Sequence, residues 1–265
     1  MKNLNKTRIF ISSMMILIAA PFVSSPLSAT PLAIWDSSWT QFADDDGMSD
    51  GPGGGGQAFD TEYLYYSLSG TTLSIGLQTG FDVMSGIVNY GGKDYYAGDL
   101  ALSLDGVSGY EFGVDFGFFT MNYDKSHYSG SSYDPAKVDT GSGTGIDTAG
   151  IYSSASWDNG VYQGHTISNP FALDGGTLIT DASFTQSAGV DGSSYYHIVS
   201  FDLASLGLDL SNPLNLDAHW TMSCGNDNIN GSTSFSVPEP GILALLATGL
   251  IGTVVAASRK RKNTA

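Results

Sequence analysis

The segment Leu214–Cys224 constrains the fold more than any other stretch of this chain. Leu214, Leu216, Ala218, Trp220, Met222 and Cys224 alternate with Asn215, Asp217, His219, Thr221 and Ser223. A period of two puts the apolar set on one face of a strand and the polar set on the other. The same alternation recurs at Leu64, Tyr66 and Leu68, at Leu73, Ile75 and Leu77, and at Leu100, Leu102 and Leu104. It returns at Tyr110, Phe112, Val114 and Phe116 and over Tyr195 to Phe201. Ser69-Gly70 and Asp105-Gly106 supply turns between neighbouring stripes. Only Asp202 to Leu208 reads as a helical turn, with Gly207 as its stop. One-sided strands at short spacing predict an all-β fold: a single antiparallel β-sandwich or jelly-roll-like domain.

Charge is distributed unevenly. Of the ten Lys and Arg residues, seven lie at the two ends. Between Thr30 and Ser236 only Lys93, Lys125 and Lys137 stand against all but one of the 26 acids, a net charge near −22. Such a body repels nucleic acid and anionic headgroups, which excludes nucleic acid as a partner. Its acids are almost all Asp, which favours turns, whereas Glu, which favours helices, occurs only at Glu62 and Glu111. The single cysteine, Cys224, forms no intrachain disulfide. Cys224 and His219 are five residues apart and fall on opposite faces of one strand, so they make no nucleophile–base pair and Cys224 belongs to the core. Four scattered histidines, and the absence of a nucleophile elbow, a phosphate loop or a dinucleotide fingerprint, leave no motif for an enzyme.

Two stretches read as loops, Ala43 to Gln57 and Asn122 to Gly150. In the first, Asp44, Asp46 and Asp50 offer oxygens to a hard cation such as calcium, although their spacing is not that of an EF-hand; a plain solvated acidic loop is the alternative. No other cofactor is expected. Near the second loop, aromatic side chains offer stacking faces for sugar rings: Tyr95 and Tyr96 before it, Tyr128 and Tyr133 within it, and Trp157 after it. The alternative is that they are half-buried strand residues. The run Phe59 to Phe116, with Asp60-Thr61-Glu62-Tyr63-Leu64-Tyr65, loosely resembles carbohydrate-binding and DOMON-like sandwiches.

The ends concern targeting. Lys2, Lys6 and Arg8 precede an apolar run from Ile9 to Ala20, then Pro21, Pro26 and small residues up to Ala29. This pattern predicts a signal peptide over residues 1–29. At the other end, Val237-Pro238-Glu239-Pro240 is followed by an uncharged apolar stretch, 241–258, and by Arg259, Lys260, Arg261 and Lys262. Eighteen helical residues span about 27 Å, roughly the hydrocarbon core of a bilayer. The cations hold the C-terminus in the cytoplasm, and the leader sends residues 30–236 out as an ectodomain. The tail, 237–262, resembles the PEP-CTERM sorting signal. The resemblance implies an exosortase as processing partner, a membrane-anchored precursor in a Gram-negative bacterium, and then a cell-surface or matrix location near exopolysaccharide. The stretch His219 to Asp227 more weakly resembles a segment found before the sorting signal in some such proteins. The expected function is therefore a non-catalytic surface or biofilm protein. A glycan-binding module is the alternative, and a secreted hydrolase a more distant one.

Overall fold

A computed structural model of the chain describes residues 30–45, 56–90, 93–107, 109–117, 148–158, 169–225 and 227–238. They form an all-β body of antiparallel sheets. Strands β1 (Thr40–Asp44), β2 (Thr61–Ser69), β3 (Thr72–Thr79), β11 (Ser194–Asp202) and β10 (Thr185–Asp191) make sheet one, in the order β1-β2-β3-β11-β10. Sheet two is built from β13 (Asn228–Phe235), β12 (Leu214–Thr221), β6 (Leu100–Ser103), β7 (Phe112–Asp115), β8 (Gly150–Asp158) and β9 (Ala172–Leu178), in the order β13-β12-β6-β7-β8-β9. A separate ribbon pairs β4 (Ile87–Tyr90) with β5 (Lys93–Tyr96). Among the described residues no helix is long and apolar enough to cross a membrane. Residues 1–29 and 241–258, where the leader and the membrane helix are expected, lie outside them.

The alternation is what lets the two sheets share a core. Leu73, Ile75 and Leu77 of β3 and Val199 and Phe201 of β11 face Leu102, Val114, Leu216, Ala218 and Trp220 of sheet two in one apolar cluster. Each Leu, Ile, Val or Phe side chain among them contributes on the order of 1.5–3 kcal/mol when fully buried. The β2–β3 hairpin turns at Gly70, whose φ of 60° suits a residue without Cβ. The helical turn is a short 3-10 element, Leu203–Leu206, capped by the Asp202 carboxylate on the Ala204 N–H and ended by left-handed Gly207.

Three expectations need correction. The acidic loop does not begin at Ala43, because Ala43 and Asp44 finish β1; Ala43 is buried and the edge strand continues until its pairing with β2 ends. The β12 ladder stops at Thr221; Met222 and Cys224 reach the core from the turn that follows. Tyr110 does not share the core-facing stripe of Phe112, Val114 and Phe116. It precedes β7 and lies against His219, with ring centroids 6.0 Å apart.

The outer face of sheet one is covered by the chain itself. Residues 30–39 cross it, and the Trp35 ring stacks on Tyr65 at 4.5 Å and 17°. Trp39 and Tyr196 meet Trp35 edge-on. Gly76 lies beneath, and a Cβ there would collide with the Trp35 ring. Gln78 ties the strap down. Its Oε1 accepts from Leu32 N (3.0 Å) and Trp35 Nε1 (2.6 Å), and its Nε2 donates to Thr30 O (3.0 Å) and to Glu62 Oε2 (2.6 Å). Glu62, fully buried, also accepts from Gln57 Nε2 and Ser194 Oγ. Every hydrogen bond in this knot joins groups that would be costly to bury without partners.

Candidate functional site

The outer face of sheet two is built differently. The polar positions of β12 project there, and the β12–β13 register sets Asp217 opposite Ser232 and His219 opposite Asn230. The loop between β6 and β7 raises a wall beside them. Asp105 Oδ1 accepts from Val107 N at 2.8 Å, Gly106 takes a left-handed φ of 74°, and Glu111 Oε1 accepts from Leu104 N at 2.7 Å. Trp157 Nε1 donates to Tyr110 O at 3.1 Å and so ties this wall to β8. Between wall and sheet lies an open cleft of about 370 Å³, lined by Val107, Tyr110, Asp217, Asn230 and Ser232. The backbone of Ala218 and Gly231 completes it, since Ala218 packs in the core and a Cβ on Gly231 would point at Phe42.

Hydrogen bonds orient the polar groups. His219 Nδ1 lies 2.7 Å from Asn230 Oδ1, and Asn230 Nδ2 donates to Asn228 Oδ1 at 2.6 Å. Burial lowers the His219 pKa, against the pull of Asn230 and the Pro170 carbonyl, so the ring is neutral at pH 7. Its Nδ1–H then donates to Asn230 and holds that amide in one orientation. The Tyr110 hydroxyl is pushed up by burial and then by the Asp217 charge. With one carboxylate, one amide and one hydroxyl around a tyrosine ring, the cleft is equipped to hydrogen-bond a neutral polar ligand. It lacks the several carboxylates that a hard cation needs.

The residues expected to bind sugars have other surroundings. Tyr95 packs edge-on against Phe59 at 5.1 Å, and Tyr96 against Phe171 and Ala172. As neighbours in β5 they point to opposite faces of the ribbon. Trp157 supports the wall of the cleft through its N–H. Tyr128 and Tyr133 lie outside the described residues. Of the expected calcium ligands, Asp44 is exposed and accepts from Gln41 Nε2 at 3.2 Å, while Asp46 and Asp50 lie outside the described residues. Among the described residues no three His, Cys, Asp or Glu side chains gather to hold a metal ion. Cys224 is buried in the core, apart from the polar face that His219 occupies.

A second acidic cluster joins the two sheets. Asp227, fully buried just before β13, accepts at Oδ2 from Thr61 N (2.7 Å) and Thr61 Oγ1 (3.0 Å), and at Oδ1 from Asn228 N. Thr61 Oγ1 also lies 3.2 Å from Asp45 Oδ2. Desolvation and the nearby Asp45 charge raise the Asp227 pKa to about 7. A proton on Asp227 would relieve this crowding of charge.

The alternation in β12 marks Asp217 and His219 as outward positions but not as parts of a site. Asn230 and Ser232 escape notice because β13, Asn-Ile-Asn-Gly-Ser-Thr-Ser-Phe, has too few apolar residues to show alternation. The available signal is the polar edge of β12 next to an Asp-Gly turn.

The body thus defines a broad class, an acidic all-β sandwich whose sheet-one face is covered by its own chain and whose sheet-two face opens as a polar cleft at the β12–β13 end. Its C-terminal end is more specific: residues 236–262 match the PEP-CTERM protein-sorting motif. The match covers about a tenth of the chain. The motif implies an exported protein that is processed by an exosortase. Within it, Val237 is only 7% exposed and packs in the core, and Pro238 is exposed. Glu239, Pro240, Arg259, Lys260, Arg261 and Lys262 lie outside the described residues. No curated protein and no solved structure matches the chain.

Proposed function

We propose that this chain is a non-catalytic protein of the cell surface or extracellular matrix, cut from its membrane anchor by an exosortase and associated with exopolysaccharide. The observation that carries this reading is the sorting motif joined without a spacer to a folded acidic body: Val237 is a core residue and Pro238 is already exposed. In this reading the processing enzyme meets the motif directly beside the folded body. The charge balance supports a neutral polymer over an anionic one. The buried acids Glu62 and Asp227 are engaged in structural hydrogen bonds, which suits a non-catalytic role.

Mass spectrometry of the protein isolated from its host tests this. The expected product begins at Thr30 and has lost Arg259 to Lys262 together with the apolar stretch; deleting the exosortase restores the intact tail. An intact tail in the unmodified host sinks the reading. In a strain that makes no exopolysaccharide, the protein is expected to move from the matrix fraction to the medium.

A further inference from the structure

We propose that the cleft on the outer face of sheet two is a binding subsite for one neutral sugar residue of a polysaccharide chain. The inference deepens the matrix reading and rests on it only for where such a polymer would be met. The chemistry comes from the cleft itself. At about 370 Å³ it falls at the small end of ligand pockets, which run to roughly 300–1,000 Å³. It is open on one side, so a polymer can enter and leave through it.

The lining matches the two kinds of surface on a sugar ring. The Tyr110 ring and the Val107 side chain, 63% exposed, offer apolar area to C–H groups. Asp217 offers acceptors, Asn230 a donor and an acceptor, and Ser232 a hydroxyl that does either. Three features show that these groups are held in place. His219 and Asn228 fix the Asn230 amide, leaving one amide hydrogen and one oxygen lone pair for a ligand. Trp157 holds the Tyr110 carbonyl. The Asp105 turn and Glu111 fix the loop that carries Val107 and Tyr110. Groups fixed before binding lose little entropy when the ligand arrives.

The same lining selects against other ligands. It has one carboxylate, too few for a hard cation. Among the described residues it has no Lys or Arg to receive an anionic sugar, and the net charge of the body repels one. Asp217, half-buried, would be left without a partner by a purely apolar ligand.

Titration calorimetry of the full chain in a zwitterionic detergent tests the proposal, with cellotetraose, maltotetraose and mannotetraose as probes and trigalacturonate as the anionic comparison. At least one neutral probe is expected to bind one-to-one, with trigalacturonate at least about tenfold weaker. The isosteric Asp217→Asn and the truncation Asn230→Ala should each weaken binding about tenfold or more. Tyr110→Phe should retain binding and Tyr110→Ala lose it. Ser234→Ala, on β13 outside the cleft, should bind like the parent. Near-UV circular dichroism checks that each variant is folded. The proposal is overturned if no neutral probe binds below about 10 mM. Folded Asp217→Asn and Asn230→Ala chains that bind like the parent would overturn it equally. Because the unprocessed chain is used, failure to bind stays distinct from failure of the sorting reading, which the mass of the host protein decides.

Discussion

The two outer faces of this sandwich carry similar residues and put them to opposite use. On sheet one, the strap 30–39 covers Tyr65 with the Trp35 ring and satisfies Gln78, while Glu62 beneath it is met by Gln57, Gln78 and Ser194. On sheet two, Asp217, Asn230, Ser232 and Tyr110 line an open cleft, and part of their hydrogen-bonding capacity faces solvent. Residue type therefore does not separate structural from available polar groups. What separates them is whether another segment of the chain lies on top.

Four experiments probe the contrast between sealed and open polar groups. The largest effect concerns pH and Asp227, the group that ties β2 to the start of β13. Its folded pKa of about 7 is raised from 3.8, so between these values the folded chain keeps a proton that the unfolded chain has lost. This contribution to stability is present in full below about 3.8 and disappears as pH rises through 7, a span on the order of 4 kcal/mol. His197 acts in the opposite sense. Burial lowers its pKa to about 4, so its neutral folded form favours folding above about 6.5 and loses that advantage as pH falls. Burial lowers the His219 pKa too, and it acts in the same sense as His197. In denaturant titrations the stability of the parent is therefore expected to rise less steeply between pH 4 and 6.5 than that of Asp227→Asn, because the Asp227 contribution is lost over the same range. A parallel pH profile for the two proteins would refute the assignment.

Next in size is Glu62→Ala. It strands the Gln78 and Ser194 donors inside the protein and should cost about 3 kcal/mol, read as a lowered urea midpoint. Trp35→Ala removes the strap's half-buried anchor and should cost about 2 kcal/mol. Limited proteolysis within 30–39 should accelerate in this variant, and an unchanged cleavage rate would show that the strap is held elsewhere. The smallest effect is on the open face. Asp217→Asn should shift stability by less than about 0.5 kcal/mol, as expected for a side chain that faces an open cleft. A large loss would make Asp217 another structural acid and erase the contrast between the faces.

The strands with a clear apolar period, β2, β3, β6, β7, β11 and β12, are legible in the amino-acid order, because each drives one face into the shared core. Strands β8, β9, β10 and β13 are not. β10, Thr-Gln-Ser-Ala-Gly-Val-Asp, is almost wholly exposed and owes its conformation to backbone pairing with β11. β8 holds Ser154 in a left-handed conformation where its register with β9 shifts, which breaks the alternation. Of the cleft, only the β12 half is visible as an outward polar row.

The strand faces, the all-β class and the sorting tail follow from amino-acid order alone. Each is written in residues close together in the chain, as a two-residue period or as the succession of prolines, apolar run and cations. Which polar groups are sealed and which are left open was settled only when the chain packed on itself. That choice depends on contacts such as Trp35 with Gln78 and Thr61 with Asp227, 43 and 166 residues apart, and no local period encodes such distances.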